Sequence, residues 1–331
     1  MKLGTLLSPH SKDGELVIVS QDNQFYTSAH DISPNLLSAL ENWSRVEPEL
    51  QKRSVALNSG QSLLKKPTDG FKNFASALPR TWLFADGSAF IHHVKLVRKA
   101  RNAALPETIY TVPLMYQAES GRFLNPTENI PQIDFSHGTD FEAEVGVIVD
   151  HVPMGIQPEA ALKHIKLIVL INDVSLRGLI PEELAQGFGF FQSKPNKALS
   201  PMAITLDELE NAWKDGRIHL PLNVTLNNQF FGRANAKEMH FHFGQLIAHA
   251  AKTRDLAAGT LIGSGTVANE DATVGSSCLA EKRTLEQINE GKVTTPFMKV
   301  GDRIQIEMFN QRGESLFGQI NQVVSQAELP R

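Results

Sequence analysis

One cysteine, Cys278, stands in 331 residues, so no internal disulfide can form and a reducing, cytoplasmic setting is expected. A thiol nucleophile there competes with a plainer reading, a small core residue between Ser277 and Leu279, and the plainer reading is preferred. Long apolar runs are missing as well: no stretch approaches the roughly 20 residues that a membrane helix needs. The opening residues, Met1 to Pro9, carry neither the apolar segment nor the small-residue cleavage site of a secretory signal. The net charge of −4 is spread without any basic block. Neither a nucleic-acid partner nor a membrane partner is therefore expected. Internal repeats and low-complexity tracts are absent, and the length suits one large domain plus a small one.

What is present divides into two parts. Residues 16–19 and 24–26 flank Ser20-Gln-Asp-Asn23 and predict a hairpin. Ser33-Pro34 predicts a helix start leading into Leu36, Leu37 and Leu40, and Glu47-Pro48 a second helix ending near Asn58. The polar connection 65–70 then places a boundary, giving a small N-terminal domain over 1–76 and a catalytic domain over 77–331. From Thr81 onward short strands and turn residues dominate. Examples are 220–226, the turn Asn227-Asn228, 229–231, and 303–308 followed by Asn310-Gln-Arg-Gly313. Helices are expected over 88–99, 158–165 and 243–252, too few for an alternating βαβ series. The expected class is α+β and β-rich.

The chemistry gathers around acidic residues. Glu142 and Glu144 head the run Phe141-Glu-Ala-Glu-Val-Gly-Val-Ile-Val149, and Asp173 closes a second apolar run, 167–172. Both runs are short and β-branched and read as buried strands. Side chains alternate along a strand, so the two glutamates share one face, roughly 7 Å apart. An exposed edge strand would continue polar on that face, but Gly146 and Ile148 follow. Carboxylates are almost never buried without a partner, and an all-oxygen set calls for Mg²⁺, Ca²⁺ or Mn²⁺ rather than zinc. Asp86 supplies a fourth carboxylate. It precedes a predicted helix on which His93, Leu96, Val97 and Ala100 form an inward face. Carboxylates beside an inward histidine suit metal-assisted hydrolysis, although a hydrogen-bonded core histidine is the commoner occurrence.

Taken in order, Asp86, His93, Glu142-Ala-Glu144, Asn172-Asp173-Val-Ser-Leu-Arg177, Lys194 and Gly263-Ser-Gly-Thr266 leading to Glu281 resemble the fumarylacetoacetate hydrolase family from about Thr81 to the C-terminus. The segment before it is similar to the small N-terminal domain of bacterial fumarylacetoacetases. The resemblance implies a mixed β-sandwich or roll for the catalytic domain. It also implies that Asp86, Glu142, Glu144 and Asp173 bind the divalent cation, and that His93 is a general base oriented by Glu281. Arg101 and Lys194 would hold the oxyanion and the substrate carboxylate, with Tyr116 and Thr266 contacting substrate. A small-molecule diketo acid and a homodimer are the implied partners. The chain departs from the animal enzymes at Ser88, where they have tyrosine, and at Ile180, where they have glutamine. Asn196-Lys-Ala198 also replaces their Gly-Thr pair.

The expected activity is hydrolysis of the carbon–carbon bond of a 1,3-diketo acid, fumarylacetoacetate first. Alternatives are an acylpyruvate hydrolase, a decarboxylase or hydratase on the same scaffold, and a non-enzyme holding structural Ca²⁺. Two features are given no catalytic part. His240-Phe-His242 reads as the exposed face of a strand, because no third metal ligand follows at a suitable spacing. The glycines of 263–266 lack a phosphate-loop context and suit close backbone approach to a substrate.

Overall fold

The computed structural model describes residues 1–62, 65–100 and 104–328. Its main element is an eleven-stranded sheet whose central strands are Ala143–Val149 and Ile165–Asn172. Both are runs of Val, Ile and Leu, the composition of strands covered on both faces. Their side chains alternate between two cores. Val145, Val147, Ile168 and Leu170 enter one, while Ile148, Leu167, Val169 and Ile171 enter the other.

Each core has its own cover. On the first face lies a five-stranded sheet, contributing Leu222 and Val224 from Leu222–Leu226 and Ile304, Ile306 and Met308 from Arg303–Met308. The second face is covered by the N-terminal part, through Leu3, Leu16, Leu36, Leu40 and Trp43. That part also extends the main sheet, because Lys2–Leu6 pairs with Met202–Ile204, Lys2 opposite Ile204. The class is α+β and strand-rich, with a small N-terminal domain. Parallel pairing joins only Leu261–Gly263 to Phe84–Gly87 and Ile320–Gln326 to Ile130–Gln132 among the described strands.

The hairpin Glu15–Val19 with Phe25–Ser28 and the strand Arg303–Met308 form where expected. The Asn227-Asn228 turn has both residues at positive φ (53° and 60°), which asparagine tolerates and tight hairpins require. Other expectations need correction. The first helix is Leu36–Glu41, capped by Asn35, whose side chain accepts from Ser38 N at 2.8 Å, and not by Ser33. The second runs Trp43–Asn58 with Pro48 inside it, on the exposed side, where the lost N–H falls on a solvent-facing stretch of the helix. The 158–165 segment is a short helix, Pro158–Ala161, and a 3-10 turn that runs into a strand at Ile165. His240 to His242 is not a strand: it is a bend feeding the helix Phe243–Ala250, with His242 N donating to Gln245 Oε1.

Candidate active site

Five neighbouring strands bring the predicted residues to one end of the main sheet. In spatial order they are Ile165–Asn172, Ala143–Val149, Leu261–Gly263, Phe84–Gly87 and Met115–Ala118. Asp173 follows the first, Glu144 lies opposite Ile171 on the second, and Asp86 lies between Gly263 and Tyr116. Three strand ends thus deliver three carboxylates. Asp86, Glu144 and Asp173 each offer an oxygen within 4.8 Å of the others, and all three are buried. Neither oxygen of Glu144 receives a hydrogen bond from any described residue. Burial, reinforced by Asp173, pushes the Asp86 carboxyl up to about 8. Burial and the charges of Asp86 and Asp173 hold Glu144 well above the usual carboxylate range.

Such a trio is unstable as bare anions and suited to a hard cation. Around it, five buried carboxylates (Asp86, Asp140, Glu142, Glu144 and Asp173) face three buried or nearly buried cations, Arg177, Lys194 and Lys197. With Glu281 also buried, carboxylates outnumber cations here among the described residues, which favours a bound cation. The orphaned Glu144 oxygens and the all-oxygen donor set fit Mg²⁺, Ca²⁺ or Mn²⁺.

Glu142, expected beside the trio, is engaged differently. Its Oε1 accepts from Arg177 and its Oε2 from Lys194 Nζ, each at 2.6 Å. Burial alone would raise its pKa, but Lys194 and Arg177 outweigh burial and hold it well below the usual range. Lys194 Nζ also donates to Asp173 Oδ2 at 2.6 Å. Desolvation disfavours its charge, yet Asp173 and Glu142 keep it cationic. Tyr116 Oη donates to the same Asp173 Oδ2 at 2.8 Å.

His93 lies on the helix Ile91–Ala100, which packs against a second helix, Leu279–Glu290. Across that contact His93 Nδ1 lies 2.9 Å from Glu281 Oε2, and Glu281 is buried. The histidine opens onto a cavity of about 260 Å³ that is also lined by Asp86, Glu142, Glu144 and Lys194. Tyr116, Thr266, Ser88 and Ile180 line it too, so two of the three departures from the animal enzymes face this space, and Asn196-Lys-Ala198 does not line it. Arg101 lies outside the described residues. The glycines of 263–266 serve the strand beside them: a Cβ on Gly263 would strike Asp86 Oδ1, and one on Gly265 the Gly87 carbonyl. Gly265, at φ +76°, donates its N–H to Asp86 Oδ1 at 3.2 Å.

Several contributors escaped the sequence reading. The helix Leu279–Glu290 was not expected, although Gly291 in the left-handed region ends it and Cys278 caps it. Cys278 is fully buried, and its Sγ accepts from Glu281 N at 3.4 Å. Lys197 is also fully buried. It donates to the carbonyls of Lys194 (2.9 Å) and Pro195 (2.6 Å), and its Nζ lies 3.3 Å from Asp173 Oδ1. Asp140 and Arg177 connect the glutamate pair to the start of the Glu281 helix.

Comparison with known proteins gives this site a family. Residues 83–325 match the fumarylacetoacetate hydrolase C-terminal family, and residues 1–80 match fumarylacetoacetase N-terminal domain 2. The 2,4-didehydro-3-deoxy-L-rhamnonate hydrolase of Sphingomonas sp. (strain SKA58) is 24% identical over 239 residues, 70% of this chain and 79% of its own length. A candidate hydrolase of Burkholderia lata is 26% identical over 157 residues, 46% of this chain and about half (53%) of its own. Among solved structures, maleylpyruvate hydrolase from Sphingobium sp. SYK-6, in complex with manganese(II) and pyruvate, superposes with a TM-score of 0.67 at 15% identity, covering 99% of this chain and 100% of that one. The fumarylacetoacetate hydrolase of Exiguobacterium antarcticum gives 0.63 at 15% identity, with the same coverage. At such identities these structures speak for the fold, and the two matched segments together span nearly the whole sequence. The chain belongs to the fumarylacetoacetate hydrolase family.

Proposed function

We propose that the protein is a metal-dependent hydrolase that cleaves the carbon–carbon bond of a 1,3-diketo acid, with fumarylacetoacetate, giving fumarate and acetoacetate, as the leading substrate. One observation carries the reading: His93, held by Glu281, opens onto the same cavity as Asp86 and Glu144 of the carboxylate trio. A structural cation site has no need of a histidine–glutamate pair beside it. The hydrolase relative and the hydrolases among the structural neighbours support the same reaction class.

Asp86, Glu144 and Asp173 would hold the cation, which supplies Lewis-acid polarisation of the substrate's oxygens and stabilises the departing enolate. His93 Nδ1 is committed to Glu281, which leaves Nε2 to take a proton from the attacking water. The new C–O bond forms at the carbonyl carbon, and the C–C electron pair leaves onto the enolate carbon, which is then protonated. Lys194 supplies fixed positive charge for the oxyanion, and Thr266 and Tyr116 border the substrate space. An acylpyruvate-type hydrolase is the second reading. It is favoured by the apolar wall of Val97, Leu114, Ile180 and Leu184, which leaves room for acyl groups other than a fumaryl one.

Incubating the Mn²⁺- or Mg²⁺-loaded protein with fumarylacetoacetate, fumarylpyruvate and oxaloacetate separates these readings. Cleavage of fumarylacetoacetate with the highest kcat/KM is expected. Preference for fumarylpyruvate would favour the second reading, and turnover of oxaloacetate alone would make the protein a decarboxylase.

A further inference from the structure

The reading of His93 and Glu281 as an acid–base pair leaves open what fixes the pair relative to the metal-site carboxylates. Glu281 sits in the first turn of its helix, so its carboxylate goes wherever that helix start is held. Only a few groups hold it. The Asp140 carboxylate is fully buried and accepts three hydrogen bonds. Its Oδ1 takes the Leu279 N–H at 2.8 Å, and its Oδ2 takes the Ala280 N–H at 2.9 Å and Arg177 Nε at 2.8 Å. Leu279 and Ala280 are the first two residues of the helix, and their N–H groups have no intrahelical acceptor. A carboxylate there satisfies both donors and complements the helix dipole. The third bond ties the same carboxylate to Arg177, whose other arm donates to Glu142 at 2.6 Å. Backbone pairing runs alongside, with Ala143 N donating to Ser277 O at 2.9 Å and Glu142 bridging Cys278.

We infer that Asp140 is a positioning residue: it pins the start of the Glu281 helix to the Arg177–Glu142 arm and so sets the His93–Glu281 pair against the metal-site carboxylates. This inference rests on the acid–base reading of that pair. The geometry excludes a looser role. All four oxygen lone-pair directions of an ionised carboxylate are available, three are used, and each leads to an element of the site. Asparagine cannot replace it, because its amide nitrogen would face either a helix N–H or the guanidinium, donor against donor.

The test is a double-substitution cycle on the metal-loaded enzyme, read as kcat and KM separately. Asp140→Asn is expected to lower kcat by roughly ten- to hundredfold, below the 10²–10⁴-fold loss of an acid–base group itself, and to leave KM within about threefold. In a Glu281→Gln background the same substitution should lower kcat by no more than about threefold, because the group it positions is already lost. Equal effects in both backgrounds would show that Asp140 acts only on general stability, and would overturn the inference. If Glu281→Gln itself retains wild-type turnover, the acid–base reading is what fails. Should Asp140→Asn not fold, Leu279→Pro replaces it in the cycle. It deletes one of the three donors at the first helical position, where the extended Cys278 backbone (φ −154°, ψ 160°) accepts a following proline. Non-additivity with Glu281→Gln is again expected, and additivity would again overturn the inference.

Discussion

Removing metal should make the stability of this protein fall as pH rises, the reverse of ordinary acid denaturation. The cause is Asp86, which burial and Asp173 push from 3.8 up to about 8. A group whose folded pKa lies above its unfolded one retains a proton on folding. Its contribution is fully present below pH 3.8 and is lost as pH rises through about 8. Glu142 has the opposite sign, but its lowered pKa confines that effect below the usual 4.5. Between pH 5.5 and 7.5 the retained proton therefore dominates the difference between wild type and Asp86→Asn. One proton is worth about 1.36 kcal/mol per pH unit, or roughly 2–3 kcal/mol across that interval. For a chain of this size that corresponds to a Tm change of several degrees, at roughly 2 °C per kcal/mol. Because Asp86 and Glu144 share one site, the retained protons belong to the pair; Asp86→Asn removes one of the two acids and should lessen the slope, while burial and Asp173 still hold Glu144 above its usual range. Thermal melts in EDTA from pH 5.5 to 7.5, with wild type and variant side by side, measure the difference. Excess Mn²⁺ must displace that proton, so it should stabilise wild type more at pH 7.5 than at pH 5.5. Parallel profiles for the two proteins in EDTA would refute the placement of Asp86 in a dry carboxylate site.

Other expectations follow from the same geometry. Glu144→Gln removes a carboxylate whose oxygens lack donors, so Mn²⁺ binding by calorimetry should weaken by at least tenfold and activity should vanish, while the metal-free melting temperature rises. Retained metal affinity with normal turnover would remove Glu144 from the site. His93→Ala should lower kcat by roughly 10²–10⁴-fold while Mn²⁺ affinity survives, because His93 is proposed as a base and not a ligand. Near-normal turnover per folded, metal-loaded molecule would make His93 structural. We also propose a two-fold homodimer, on the prevalence of that symmetry among soluble enzymes. Light scattering at micromolar concentration should return about twice the 36.5 kDa chain mass, and a monomer would rule the dimer out.

The parts of this site that were legible in the sequence are those with a local signature. Glu142 and Glu144 are conspicuous because charged residues interrupt a β-branched run, and the structure leaves the strand Ala143–Val149 no solvated face. His93 is legible through helical spacing, and the histidine does face its partner helix. What was not legible is set by contacts between distant segments. Asp140 and Leu279 are 139 positions apart, and no periodicity joins them. The Glu281 helix was missed because its cap is a cysteine, a residue that seldom announces a helix start, and because its buried positions are few: Leu279, Glu281 and Thr284. His240-Phe-His242 failed for a related reason. Alternation over three residues fits a strand, but the same residues also fit the entry to a helix, and Gln245 accepting from the His242 N–H favours the helix. Glu142 shows the limit most clearly. Sequence places it two positions from Glu144, and what it cannot show is that Arg177 and Lys194 reach its oxygens, as Lys194 and Tyr116 reach those of Asp173. Strand alternation dictates which face a carboxylate occupies, whereas the cations brought by other segments set how its charge is balanced.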